Sequence, residues 1–439
     1  MSSKRRYSDS SSSSSSVETS DTETKVTEDI TIGIEDLSFD DDWGVDFKIE
    51  NVVKSLYKHQ LGSLKASERG RISEQIITEK LKNFYVYAKE DGVEFDRRIT
   101  ALQFHPKDPN LLSIGSDSGK ITIRSIGKPM AIVNWDGIGY RGSITYIKFD
   151  PLVSNSVLMT SVGGTALWRY NYKENAVYRF LYTGDFTKYF CSINASKDYK
   201  LTYVGDAAGT MGIIDPDNKL VGVHKIHEGK INSLEIPKGY DWLLASASQD
   251  KTVKIWDIRK IKPRKPLHEL PHNRPVSSAN FSEVDSMRLL TTDDSKQLRV
   301  YKGALLDLET VIVHPHRRLH HMIPIKATWH PLSDMIIVGR YPDPGQEGYV
   351  DGEVYTVDIV SAESGLIRLQ LDPILCGNIL NLNAFNSNGE ILASTMGQNI
   401  LYWKARNFTE TFQNNIDNNR DHRDDEGVIS PSTLLDFYS

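Results

Sequence analysis

The chain has 439 residues, of which 39% are hydrophobic and 25% charged, a composition typical of a protein with a large folded core. It contains no apolar run long enough to cross a bilayer, and its serine-rich start does not resemble a signal peptide, so we expect no membrane partner. Two cysteines, Cys191 and Cys376, provide neither a disulfide framework nor the spacing of a zinc site. We therefore expect no metal and no other cofactor.

Charge is distributed unevenly along the chain, although the net value is only −6. Residues 1–50 carry a net charge of −8 and residues 407–439 a net charge of −5, which leaves +7 for residues 51–406. A basic body with acidic tails suits a polyanionic partner, and the tails could compete for the same basic surface.

Three segments are predicted to lie outside the main domain. Residues 1–49 begin with Lys4-Arg5-Arg6, which either helps nuclear import or only aids solubility, and continue as a serine-rich, acidic sequence. We predict that this segment and the acidic segment 407–439 are disordered, because they have too little apolar surface to fold. Residues 50–83 space apolar residues as helices do, and predict two short helices that either cap the domain or hook a partner.

Between residues 84 and 406, strand–turn–strand units recur with a period of about forty residues, which is typical of propeller blades. Inner strands are predicted to begin near Thr100, Ser143, Tyr189, Ile231, Val276, Ile325 and Leu380. This count predicts an all-β fold, a seven-bladed WD-repeat β-propeller. Residues 84–88 precede the first unit and could supply the outer strand of the last blade, thereby closing the ring.

The clearest repeat is Ser246-Ala-Ser-Gln-Asp-Lys-Thr-Val-Lys-Ile-Trp-Asp-Ile-Arg259, a buried strand, a turn and an alternating strand. Within such a blade Asp250 is expected to fix a turn and Trp256 to pack. Packing does not explain Arg259, whose guanidinium could pair with a carboxylate of a partner.

Basic and aromatic residues gather in the loops that enter an inner strand or join the second and third strands of a blade. In a propeller all of these loops open on one face, and a phosphate backbone with displaced bases requires such a mixture. The residues concerned are Arg97, Arg98, Tyr140, Arg141, Lys188, Lys230, Lys296, Arg317, Arg318, Arg340 and Tyr341.

Other motifs carry weaker signals. The glycine pattern of residues 137–142 precedes a predicted strand rather than the helix that a dinucleotide site needs. The segment 314–321 holds four histidines, which we interpret as a basic tip suited to nucleic acid, with an ordinary loop or a metal site as alternatives. We find no catalytic constellation, so we expect no enzyme.

Long strings of residues resemble the DNA damage-binding protein 2 family, the small subunits of ultraviolet-damaged-DNA-binding complexes. The similarity covers residues 50 to about 406. Its most specific pieces are His59-Gln-Leu-Gly62, Phe95-Asp-Arg-Arg98, Asp250–Arg259, Leu289-Leu-Thr-Thr-Asp293, Pro324-Ile-Lys-Ala327 and Val338-Gly-Arg-Tyr-Pro-Asp-Pro344.

The resemblance implies a nuclear seven-bladed propeller that binds damaged double-stranded DNA in nucleotide excision repair. It further implies that a helical hook and the opposite face bind a large adaptor propeller, which makes the protein the substrate receptor of a cullin-RING ubiquitin ligase. The implied adaptor-binding residues are Leu56, His59, Leu61, Asp250, Trp256, Asp257 and Arg259.

The chain departs from the family at the loop tip that enters the minor groove. The resemblance places Leu319, His320 and His321 there, where the family has Phe-Gln-His. Leucine is still a usable apolar wedge, since a damaged step costs less to unstack than a sound one. Asp117 replaces a family lysine, so the DNA face is less basic than is usual.

A second interpretation stays open from the residues alone. The chain could be a protein-interaction scaffold whose basic face holds acidic peptides or histone-associated surfaces without preference for a lesion.

Overall fold

The computed structural model describes residues 54, 57–58, 60–63, 65–90, 95–127, 133–135, 142–162, 166–182, 184–262, 265–316, 323–345, 349, 351–373 and 377–406. The chain divides into two units, Met1–Leu61 and Gly62–Ser439. Both predicted tails, 1–49 and 407–439, lie outside the described residues. No helix in the described ranges is long and apolar enough to span a membrane.

In its described residues the second unit contains seven antiparallel sheets of four strands each, so the predicted seven-bladed propeller is confirmed. We call the strands of a blade a to d, from the inside outwards. Blades 1 and 2 consist of β2 (Ile99–Phe104), β3 (Leu111–Ser116), β4 (Ile121–Ser125), β5 (Val133–Trp135) and β6 (Ile144–Phe149), β7 (Ser156–Ser161), β8 (Ala166–Asn171), β9 (Ala176–Tyr182). Blades 3 and 4 consist of β10 (Phe190–Ser196), β11 (Leu201–Asp206), β12 (Thr210–Ile214), β13 (Leu220–Lys225) and β14 (Ile231–Glu235), β15 (Leu243–Ser248), β16 (Thr252–Asp257), β17 (His268–Pro271). Blades 5 and 6 consist of β18 (Val276–Phe281), β19 (Arg288–Asp293), β20 (Gln297–Lys302), β21 (Asp307–Val313) and β22 (Thr328–His330), β23 (Ser333–Gly339), β24 (Val357–Ser361), β25 (Ile367–Leu371).

Blade 7 closes the ring. Its strands β26 (Asn383–Phe385), β27 (Ile391–Met396) and β28 (Asn399–Ala405) are completed by β1 (Phe84–Glu90), which pairs with β28 as predicted. Each a strand contacts the a strands of both neighbouring blades, and β26 of the last blade contacts β2 of the first. Because the outer strand of this sheet comes from the N-terminal part of the propeller sequence and the other three strands from its C-terminal part, the pairing closes the ring of blades.

Four of the seven b strands are buried along their whole length because the neighbouring blades cover both of their faces. Strands β3, β7, β15 and β19 have no exposed or half-exposed residue. Close approach between blades also explains Gly339, where a Cβ atom would clash with the Leu380 carbonyl oxygen.

Helix α1 (Ala66–Lys82) precedes the propeller and packs against blades 6 and 7. Its Ile77 and Leu81 are buried with apolar residues of both blades. Glu74 accepts a hydrogen bond from Arg368 of β25 at 2.6 Å, which fixes the helix at the rim. Of the two predicted alternatives, this helix is therefore the cap rather than the external hook.

Strand direction assigns every connection to one of two faces. The d–a and b–c connections, such as 97–98 and 117–120, open on what we call the upper face. The a–b and c–d connections, such as 150–155 and 258–262, open on the lower face.

Candidate nucleic-acid and partner-binding faces

Arg97 and Arg98 lie in the connection that enters β2, on the upper face. Both side chains are about half exposed, at 51% and 47%. The Asp117 carboxylate, in the b–c turn of the same blade, lies 4.0 Å from Arg97 and 3.7 Å from Arg98. One carboxylate therefore partly neutralises two cations that were predicted to meet phosphate.

Lys230 lies in the connection that enters β14, also on the upper face. Its ammonium nitrogen is 5.4 Å from the centre of the Tyr189 ring, which is a cation–π contact. The contact places the cation and the aromatic ring side by side. Exposed Lys188 and Lys296 belong to the same face, in the connections of blades 3 and 5. Among the described residues, neither Lys230 nor Lys296 forms an ion pair with a carboxylate.

Arg340 and Tyr341 follow β23 in the b–c connection of blade 6, but Arg340 does not present its charge to the surface. Its side chain is only 10% exposed and bonds Asp358 at 2.8 Å and Glu353 at 3.1 Å. Two carboxylates from later in the chain hold the Arg340 guanidinium inside the blade, and the contact of Arg340 with DNA stays a prediction. Tyr341 packs partly buried against Tyr355.

The four predicted histidines do not form one exposed tip. His314 and His316 are buried at 1% exposure each between blades 5 and 6, with their ring centres 5.5 Å apart and their ring planes 27° apart. Burial lowers the pKa of His314 to about 4, although Asp358 acts in the opposite direction. No group of three or more metal-ligating side chains occurs among the described residues.

On the lower face, Asp257 and Arg259 form a bidentate pair at the end of β16. The guanidinium nitrogens of Arg259 donate to both carboxylate oxygens of Asp257 at 2.8 Å, and Arg259 stacks 4.7 Å above the Trp242 ring. The hydrogen bond from Arg259 lowers the pKa of Asp257. This leaves a rigid, half-exposed guanidinium on the surface.

Asp250 and Trp256, also predicted to bind the adaptor, have a different place. Trp256 is 1% exposed and donates to the Ser246 hydroxyl at 2.9 Å, and His227 joins that hydroxyl to Asp250 at 2.7 and 2.9 Å. Asp250 lies in a b–c turn and therefore on the upper face, away from Asp257. These two residues form the internal hydrogen-bond network of blade 4, and their contact with an adaptor stays a prediction.

The lower face has a second feature that the sequence interpretation missed. Each of blades 2 to 6 exposes one large apolar side chain on its a–b connection, between 37% and 54% exposed. These residues are Val153, Tyr199, Tyr240, Val284 and Leu332. The available signal was an apolar residue in a turn where polar residues are usual.

In the first unit, a helical turn joins the Leu61 amide to the Tyr57 carbonyl at 3.0 Å. Leu61 is 56% exposed and Tyr57 is 51% exposed. Exposed apolar side chains of this kind are what a partner-binding surface requires. The remaining predicted site residues lie outside the described residues: Leu56, His59, Tyr140, Arg141, Arg317, Leu319, His320 and His321.

The fold and the network of blade 4 define the class: this is a WD-repeat β-propeller, and residues 218–257 match the family model "WD domain, G-beta repeat". The chain is 38% identical to DNA damage-binding protein 2 of Bos taurus over 80% of its own length and 82% of that protein. The relative of the same name in Mus musculus is 38% identical over 80% and 81%, and that in Danio rerio 34% over 80% and 70%. The chain therefore belongs to the DNA damage-binding protein 2 family.

Proposed function

We propose that the chain binds damaged duplex DNA with its upper face and a large adaptor propeller with its lower face. In this role it serves in the nucleus as the non-catalytic substrate receptor of a cullin-RING ubiquitin ligase in nucleotide excision repair. The observation that carries the DNA-binding part is the shared upper face of Arg97, Arg98, Lys188, Lys230 and Lys296. The names of the relatives, which are damage-binding proteins, support the nature of the ligand.

Selectivity in this proposal comes from the DNA rather than from base-edge contacts. Cationic side chains hold phosphates of any sequence, and an apolar wedge such as Leu319 opens the stack. A photodimer step is already poorly stacked, so extruding it costs less, by up to a few kcal/mol, than extruding intact bases.

The test is competition between a photodimer duplex and its undamaged twin for the purified full-length protein. The proposal expects the damaged duplex to bind more tightly at every salt concentration, and Leu319→Ala to reduce that preference. Equal affinity for the two duplexes would instead support the scaffold function, in which histones or acidic peptides occupy the basic face.

Asp117 offers a test of the electrostatics of the upper face. Asp117→Asn removes a negative charge within 4.0 Å of Arg97 and Arg98, so phosphate no longer competes with an internal carboxylate. We expect about fivefold tighter binding of duplex DNA at ~0.1 M salt, and a steeper salt dependence by up to about 0.9 in log–log slope. Asp217→Asn, in an exposed c–d turn of blade 3, should change neither quantity.

For the lower face, Arg259→Glu places two carboxylates side by side and removes the guanidinium from the Trp242 ring. We expect adaptor co-purification to fall at least about tenfold, in line with loss of a buried charged contact, while DNA affinity stays unchanged. Lys107→Glu makes the same charge change on the a–b connection of blade 1 and should preserve adaptor binding. If the Arg259→Glu variant bound the adaptor as well as the wild type does, Arg259 would not be part of the adaptor interface.

A further inference from the structure

A buried chain of polar groups joins blades 5 and 6 at the upper face. Asp358 of β24 is fully buried and accepts from Arg340 Nε at 2.8 Å and from the Thr356 hydroxyl at 2.6 Å. His314 Nε2 contacts the same carboxylate at 3.1 Å, and His314 Nδ1 lies 3.3 Å from Nδ1 of His316.

The chain ends on blade 5. His316 Nε2 contacts the backbone carbonyl oxygen of Asp293 at 3.1 Å and its carboxylate at 3.5 Å. Burial by itself would raise the pKa of Asp293, but the bonds from His316 and from backbone amides outweigh burial and lower it. Asp293 thus remains an anion although it is buried.

Counting protons fixes the charge of the histidine pair. Both Nε2 atoms face oxygen acceptors, so each must carry a hydrogen, and the contact between the two Nδ1 atoms requires one more. Three N–H bonds on two imidazoles mean that the pair holds one positive charge. Burial lowers the pKa of His314 to about 4, which disfavours the additional proton on that ring.

The pair lies at the base of the d–a connection between β21 and β22. Its start is fixed further by the hydrogen bond from the Tyr341 amide to the Pro315 carbonyl at 2.8 Å. After residues 317–322, which lie outside the described residues, the Ile323 carbonyl accepts from the Asn381 side chain at 2.7 Å. Blades 5 and 6 hold one end of this connection, and blade 7 holds the other.

We propose that Arg340 is a positioning residue, which fixes Asp358 and, through the His314–His316 pair, the base of the connection that carries Leu319. This proposal rests on the proposed function, because it assumes that the connection contacts the lesion. Arg340 in this account touches no phosphate. Its charge and that of the histidine pair balance the buried carboxylates, which a buried network needs in order to be stable.

The test compares two neutralised cations, Arg340→Gln and Lys230→Gln, in salt titrations with the photodimer duplex and its undamaged twin. Lys230→Gln should flatten the log–log salt slope by about 0.9 and keep the preference for damage. Arg340→Gln should leave the slope unchanged and lower the preference at least about tenfold, an amount within the range of lesion-opening energies. A slope flattened by about 0.9 in Arg340→Gln, or an unchanged preference, would overturn the proposal.

A second readout needs no DNA. In the wild type, ¹H–¹⁵N spectra of the histidine side chains at pH 7.5 should show one ring protonated on both nitrogens and coupled to a neutral ring. Arg340→Gln should abolish that signature. If Arg340→Gln does not fold, Gln370→Leu replaces it in the test. This milder change removes the 3.2 Å hydrogen bond from Gln370 of β25 to Asp358 and should weaken the signature. Two neutral rings in the wild type would overturn the network. Equal affinity of the wild type for both duplexes would instead count against the proposed function alone.

Discussion

Asp250→Ala should lower the free energy of unfolding by about 3 kcal/mol, because it removes the carboxylate bonded to His227 and leaves that ring nitrogen only its longer 3.2 Å contact with the Thr252 hydroxyl. The His227 side chain is fully buried, and Asp250 also bonds the Thr252 hydroxyl at 2.7 Å and the Glu228 amide at 3.0 Å. Chemical denaturation monitored by circular dichroism would measure the loss. A change below about 0.5 kcal/mol, the size of a surface substitution, would contradict the assignment.

The same group has a pH signature. Burial alone would raise the pKa of Asp250, but its bond to His227 and the charge of that ring, with the Thr252 and Glu228 bonds, lower it. A lowered folded pKa means that the stabilisation is present above the unfolded value of about 4 and is lost as the pH falls below it. Asp250→Asn should therefore differ most from the wild type near neutral pH and least in acid.

Lys230→Glu should weaken binding of both damaged and undamaged duplex at least about tenfold at ~0.1 M salt, since it removes one phosphate contact and adds a repulsive charge. It also removes the cation from above the Tyr189 ring. Stability should change little, because among the described residues the ammonium group is not part of an ion pair. Fluorescence anisotropy with a labelled duplex measures the effect.

The matched control for this charge reversal lies in the same blade. Lys238→Glu changes an exposed lysine in the a–b connection of blade 4, on the lower face. It should leave DNA affinity within about twofold of the wild type at ~0.1 M salt, because exposed charges further apart than a Debye length are screened. Equal losses in the two variants would mean that net charge, rather than the upper face, governs binding.

Period and pattern were sufficient to predict the ring. Five of the seven a strands begin within one residue of the predicted position, and β1 closes blade 7 as expected. In blades 6 and 7 pairing starts three residues late, at Thr328 and Asn383 instead of Ile325 and Leu380. Ile325 and Leu380 are buried but do not pair with a neighbouring strand. Their apolar character therefore predicted burial correctly but not the start of the strand.

The site was harder to predict because charge in a loop does not reveal its partners. Arg340 and Lys230 are both basic residues in upper-face connections, yet only Arg340 meets carboxylates, and these come from positions 353 and 358. Trp256 and Arg259 lie three residues apart in one motif, yet one is buried and the other half exposed. Such differences depend on contacts between distant parts of the chain.

The match of the WD-repeat model to a single blade has a related cause. Residues 218–257 contain the Trp256 side chain and the turn of Asp250, together with His227 and Ser246, which complete the network. Blade 5 keeps a histidine, His272, bonded to Thr291 at 2.9 Å, but has Ser295 and Tyr301 at the positions that Asp250 and Trp256 occupy in blade 4. Blade 5 therefore keeps the four-stranded fold although its sequence lacks part of the WD-repeat motif.

Lysine footprinting of the full-length protein tests the division of labour between the two faces most directly. Acetylation of each lysine is measured by mass spectrometry with and without saturating photodimer duplex. We expect protection of Lys188, Lys230 and Lys296 on the upper face, and unchanged reactivity of Lys197, Lys238 and Lys260 on the lower face. Protection of the lower-face lysines, with the upper-face lysines as reactive as in the free protein, would contradict this expectation.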